Sequence, residues 1–424
     1  MRIVGIETLR LRELPNLTLV QLHASTGETG LGETYYGAGA VEAVVHEIMA
    51  PALLGAPLPD TCADLGQVLD DRLFYVGTTG SGAEIRALSA VDIALWDLLG
   101  HHRGSSLSEL IGGAARASVP VYNTCAGTEY MRSATGQRST NWGLDASTGP
   151  QSDNDLWRFL NEADRLAEDL LASGVSAMKI WPFDLHAEQT RGTEISSAQM
   201  QSALEPLRRI RQAVGDQMRI LVELHGLWEP GPAKEILTEL AAFDVYWAED
   251  PLATHRVAEL AGLRATSDVR IAAGETAGAV GGSMLVSAAA VDVLIADIGW
   301  CGGITGALRQ ADHAAHADIE FALHDCSGPV VLAASTQAAA CLDHVHMQET
   351  TRSYYNGWYP ALVTGLPELS NGHIHVGSAP GHGIALRPDV WRRADARVRL
   401  SGRRNTHFAA QRALRDVAAG SEDM

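Results

Sequence analysis

The chain has 424 residues, enough to bury a large core, and its 46% hydrophobic and 20% charged residues are ordinary for a folded protein, which excludes disorder and a fibrous repeat. Thirty-two Lys and Arg against 51 Asp and Glu leave a net charge of −19. That field repels phosphate backbones and anionic lipid, so neither nucleic acid nor a membrane is an expected partner.

The opening MRIVGIETLRLREL lacks the apolar stretch of a signal peptide, and no later window has the length of a membrane span, so a cytoplasmic location is expected. Residues 1–40 carry short apolar runs with glycines at Gly27, Gly30 and Gly32, which predicts an antiparallel meander with turns at the glycines. From Ala40 to about Leu99 the apolar period becomes helical, as in VEAVVHEIMAPALL and EIRALSAVDIALWDLLG. Strands followed by helices make residues 1–118 an α+β domain. Cys62, Cys125, Cys301, Cys326 and Cys341 are odd in number and show no Cys-x-x-Cys spacing, so buried reduced thiols are expected.

Residues 119–350 alternate eight short β-rich runs with helical stretches: VPVYNTC, SAMKI, RILVEL, VYWAE, RIAAGE, VLIAD, FALHD and HVHMQE. Eight strand–helix repeats predict a closed parallel (β/α)8-type, TIM-like barrel. An open doubly wound sheet is the alternative, but no Gly-x-Gly-x-x-Gly follows the first run. A polar insertion from Glu129 to Asp155 follows that run and reads either as a lid over the barrel mouth or as a plain surface loop. Residues 351–424 are irregular and become Arg-rich from Arg387 to Arg415, read here as a solvated or subunit-facing helix.

The barrel runs deliver ionisable groups to their C-terminal ends, where barrel enzymes keep their chemistry: Lys179, Glu223, Glu249, Glu275, Asp297, His324 and Glu349. Glu223, Glu249 and Glu275 are each 26 residues apart, so three successive repeats put a carboxylate at one structural position. Three carboxylates converging there repel one another unless a cation joins them, and oxygen-only donors favour Mg²⁺ or Mn²⁺ over zinc.

With these residues in place, the sequence resembles the enolase superfamily, in its mandelate-racemase-like branch, from residue 1 to about 386. The resemblance rests on GLGETYYG, SAVDIALWDLLG, MKIW, VELHG, AEDPL, AAGET, the Asp297 strand end, LHDCSGP, MQE and PGHGI, in that order. It implies an N-terminal α+β domain that caps the barrel, a C-terminal segment packing back on that cap, and Mg²⁺ held by Glu223, Glu249 and Glu275. It further implies that the metal binds a substrate carboxylate and stabilises the enediolate left when a base takes the α-proton. His324 with Asp297 resembles the family's His–Asp dyad, and Glu349 the residue that hydrogen-bonds the substrate carboxylate.

Two departures matter. Racemases of the branch carry Lys-x-Lys on the second strand, whereas this chain reads Lys179-Ile180-Trp181, so Trp181 stands where a second base would be and cannot accept a proton. On the third strand, Glu223-Leu224-His225 adds an imidazole on the side of the metal ligand, similar to the superfamily's sugar-acid dehydratases, where that His is the acid for the departing β-hydroxyl. The expected reaction is dehydration of an aldonate or aldarate to a 2-keto-3-deoxy acid. Lys179 is expected near the substrate carboxylate, Trp181 as a wall, and Tyr36 and Tyr75, from cap segments 33–37 and 72–80, as substrate contacts. Epimerisation or cycloisomerisation of a sugar acid, and a non-catalytic sugar-acid sensor, are the alternatives. The Arg-rich tail and the family's habit of assembling point to a homo-oligomer.

Overall fold

The computed structural model describes residues 1–402 apart from 60, 62, 74, 75, 78, 79, 133, 137–140 and 143–153. Three antiparallel strands open the chain: β1 (Ile3–Leu11), β2 (Leu14–Ala24) and β3 (Thr29–Tyr35). Only Gly27 of the three early glycines lies in a turn, with φ at 112°. Gly30 and Gly32 are inside β3, which corrects the expected turns. A Cβ on Gly30 would come within 2.0 Å of the Ala94 carbonyl oxygen, and one on Gly32 within 1.9 Å of that of Ala90. The two glycines let β3 lie backbone to backbone against the long cap helix Ala83–Arg103, which ends at Gly104 with φ at 65°.

All eight barrel runs contain strands: β4 (Ser118–Thr124), β5 (Ala177–Ile180), β6 (Arg219–Glu223), β7 (Trp247–Glu249), β8 (Ile271–Ala273), β9 (Val293–Ala296), β10 (Glu320–Leu323) and β11 (Gln348–Thr350). β4 to β10 pair in parallel in chain order, and β11 pairs in parallel with β4. β11 also lies against β10, and bonds at the two ends flank the contact: the Phe321 N–H of β10 donates to the carbonyl of His344, ahead of β11, at 3.1 Å, and the N–H of Asp325, just past β10, to the Glu349 carboxylate at 2.9 Å. The result is a (β/α)8-type barrel under an α+β cap. Its interior is filled by Tyr122, Ala177, Leu221, Trp247, Ala272, Val293, Ile295, Ala322 and Met347, a packed floor rather than a pore.

The cap is fixed to the mouth of the barrel. Thr34 donates to the Gly299 carbonyl at 2.6 Å, and buried Glu33 accepts the N–H groups of Val330 and Val331 at the start of the helix Pro329–Ala339. Glu33 thus belongs to β3 and the interdomain joint, not to a loop over the substrate. Beyond β11, His373–His375 pairs antiparallel with β4, and Ala396–Gly402 pairs antiparallel with β1. The helix expected for the Arg-rich stretch is therefore wrong over Ala396–Gly402. There ARVRLSG alternates charged and apolar residues, a period of two that fits an edge strand. Among the described residues no helix is long and apolar enough to cross a membrane. Cys125, Cys301 and Cys326 are buried thiols, Cys341 is half-buried, and Cys62 lies outside the described residues.

Candidate active site

β6 and β7 run in register so that Glu223 and Glu249 are direct neighbours, and Glu275 follows the end of β8. All three are buried, and each offers a carboxylate oxygen within 4.8 Å of the others. Lys179 on β5 is buried among them, its Nζ 2.6 Å from Glu249, 3.4 Å from Glu223 and 3.0 Å from Glu349. One ammonium cannot balance four buried carboxylates. Burial pushes Glu249 and Glu275 above the usual carboxylate range, while Glu223, despite its burial, is drawn down to about 2 by His225 and Lys179. An all-oxygen donor set of this charge fits a small hard divalent cation such as Mg²⁺ or Mn²⁺. Asp250, beside Glu249, accepts the Gly274 N–H at 3.2 Å.

Two imidazoles lie beside this cluster, each backed by a buried carboxylate. His324 Nδ1 donates to Asp297 at 2.6 Å, and Asp297 is itself held by Ser327 at 2.8 Å and the Gly299 N–H at 2.6 Å. The other nitrogen, Nε2, lies 3.0 Å from Glu275. Burial disfavours the imidazolium, but Glu275, Glu349 and Asp297 together push His324 well above the ordinary histidine range. On the other side, His225 Nδ1 donates to Asp184 at 2.6 Å, and its own backbone N–H donates to Glu223 at 2.7 Å. Burial opposes the charge of His225, yet Asp184 and Glu223 raise it to about 9.

Lys179, Trp181, Glu223, His225, Glu275 and His324 all line one pocket at the mouth of the barrel, where polar groups from several strand ends converge. Tyr36 also lines it, as does Glu349, whose oxygens are taken by Lys179, the Thr124 hydroxyl and the Asp325 N–H. Tyr75 lies outside the described residues, as does most of the 129–155 insertion. Two described members of the insertion do reach the site. Tyr130 lines the pocket, and the Trp142 ring sits 4.5 Å from that of His225.

Sequence reasoning did not single out Asp184, Trp142, Trp300 or Arg86. Trp300 lines the pocket 5.0 Å from the His324 ring, and the Arg86 guanidinium of the cap helix lies 5.4 Å from the Trp300 ring. Asp184 carried a signal, an acid five residues past Lys179 at the start of a helix, but nothing in the spacing ties it to His225. The other three come together only through tertiary packing.

Comparison with known proteins agrees with this architecture. Residues 10–112 match the mandelate racemase / muconate lactonizing enzyme N-terminal domain, and residues 162–390 match the enolase C-terminal domain-like family. The chain belongs to the enolase superfamily, in its mandelate racemase/muconate lactonizing enzyme branch, and is an enzyme of that superfamily. It is similar to a D-xylonate dehydratase of Haloferax volcanii, 28% identical over 382 residues that span 88% of this chain and 84% of the relative. A D-galactarolactone cycloisomerase of Agrobacterium fabrum is 27% identical over 381 residues, 88% of this chain and 89% of its own. Among solved structures, an enolase protein from the environmental genome shotgun sequencing of the Sargasso Sea shares 38% identity and a TM-score of 0.83, covering 95% of this chain and 100% of that one.

Proposed function

We propose that this protein is a Mg²⁺-dependent sugar-acid dehydratase, a hydro-lyase that converts an aldonate or aldarate to a 2-keto-3-deoxy acid. One observation carries the reading: two imidazoles, each backed by a carboxylate at 2.6 Å, line the same pocket as Glu223 and Glu275 of the three-carboxylate cluster. The sugar-acid dehydratases among its relatives support the same class. Enzymes of this superfamily use Mg²⁺; bound by Glu223, Glu249 and Glu275, it would supply the positive charge that makes the hydrogen beside the substrate carboxylate acidic.

His324 takes that hydrogen through Nε2, with Asp297 fixing its tautomer. Its 3.0 Å contact with Glu275 holds a proton on Nε2 only while that carboxylate is free to pair with it. His225 gives a proton to the departing β-hydroxyl, the carbon–oxygen bond breaks, water leaves, and the enol becomes the ketone. Lys179 positions the substrate carboxylate and Glu349, 3.0 Å from the Lys179 Nζ, holds that ammonium in place, while Trp181 and Tyr36 form walls. Trp181 leaves the second strand with one cation and no second base, which counts against a two-base epimerase.

The test is incubation with Mg²⁺ and a broad panel of aldonates and aldarates, with 2-keto-3-deoxy product read as its semicarbazone. Product is expected from at least one member and none after chelation of the metal. Silence across the whole panel overturns the reading. Cycloisomerisation of an anhydro or lactone substrate is the second reading, favoured by the cycloisomerase relative and needing the same acid and base. A keto-acid product of unchanged composition, formed without loss of water and carrying solvent deuterium at the β-carbon where the enol ketonises, would select it.

A further inference from the structure

Asp184 opens the helix Asp184–Thr190, directly after the Lys179-Ile180-Trp181 strand end, and is fully buried. It spends one oxygen on His225 Nδ1 at 2.6 Å, and the other, Oδ1, has no hydrogen-bond partner. A buried carboxylate with a single partner costs stability, so the pair is not explained as a fold-stabilising contact. His225 is held just as firmly. Its backbone adopts φ of 49°, a left-handed conformation uncommon outside glycine, and is pinned there by the N–H bond to Glu223. Trp142 lies against one side of its ring at 4.5 Å, and Trp181 meets it edge-on at 6.0 Å. His225 Nε2 has no hydrogen bond to any described residue, and His225 lines the pocket.

We propose that Asp184 is a positioning residue for the elimination half of the reaction, the counterpart of Asp297 on the opposite imidazole. An ionised carboxylate only accepts, so Asp184 keeps a hydrogen on Nδ1 and leaves Nε2 as the one nitrogen through which His225 exchanges protons with the substrate. In the elimination, the Nε2 proton goes to the β-oxygen, the carbon–oxygen pair leaves with that oxygen as water, and the electrons left by the α-proton form the carbon–carbon double bond. The assignment rests on the dehydratase reading for its kinetics but not for the tautomer itself.

Two experiments on the full-length protein test it. The first compares wild type and Asp184→Asn in D₂O with Mg²⁺ and the best substrate of the panel. The substituted carboxamide can donate to Nδ1 as well as accept, so it no longer enforces one orientation. Product formation is expected to fall about a hundredfold or more, while α-deuterium continues to enter recovered substrate and KM changes little, so the ratio of exchange to product rises. Unchanged product formation overturns the proposal, and so does an equal loss of exchange and product with Mg²⁺ affinity intact. The second experiment needs neither activity nor the variant to fold well: ¹⁵N NMR of histidine-labelled wild type, with His225 assigned by its loss in His225→Gln. A protonated Nδ1 is expected. An unprotonated, acceptor-type Nδ1 overturns the proposal, whatever the reaction proves to be.

Discussion

Glu275 faces two partners at once, the other two carboxylates of the cluster and Nε2 of His324 at 3.0 Å. Replacing it with Gln removes one anionic donor without changing its shape. Mg²⁺ affinity, measured by calorimetry, is expected to drop by more than the roughly 10–100-fold typical of losing a mere supporting contact. His324→Asn separates chemistry from metal binding: α-exchange and product fall together by about 10²–10⁴-fold, while Mg²⁺ still binds. Retained α-exchange in that variant would show that another group is the base. Much of this was legible at residue level, because the even spacing of Glu223, Glu249 and Glu275 survives folding as a shared position on successive strands. Asp184 was not, since its contact with His225 depends on the path of the chain through Pro182 and Phe183 into the following helix.

At the level of elements, the joint between β3 and the helix Pro329–Ala339 turns on Glu33. Burial raises its carboxyl from 4.5 to about 8, against the pull of the Val331 and Val330 N–H groups. The folded chain therefore keeps a proton that the unfolded chain releases. This contribution to stability is complete below pH 4.5 and is lost as pH rises through about 8, a change of a few kcal/mol. Urea unfolding at several pH values should show wild type weakening relative to Glu33→Gln across that window. A constant difference between the two would mean that Glu33 is ionised in the fold. The strands themselves could be read from their β-rich runs, but their ends could not: HVHMQE begins as loop, and only its last two residues enter β11. Gly30 and Gly32 misled for a physical reason. Glycine marks close approach as well as turning, and nothing local in the sequence says which.

For the whole molecule, Ala396–Gly402 covers one edge of β1, and β3 ends the sheet on the other side. Ending the chain after Asp395 would leave β1 as an uncovered edge, open to pairing with other molecules. Such a truncation is expected to lower the melting temperature and to show aggregates by size-exclusion chromatography; a truncated chain that does neither would show that this strand does not protect β1. The Arg-rich composition hid this strand, because charge drew attention away from the alternation of Val398 and Leu400 with Arg397 and Arg399.

That pairing joins Gly5 to Gly402, so nearly the whole chain lies between two partners in one ladder. On the ribosome, the first strand emerges long before its outer neighbour is made. The barrel can close while the sheet that roofs it is still short of a strand. Contacts of such long sequence separation form slowly. Biogenesis of this enzyme should therefore pass through a stage with catalytic strands assembled and the roof unfinished, when chaperone capture or mispairing between nascent chains has its best opportunity.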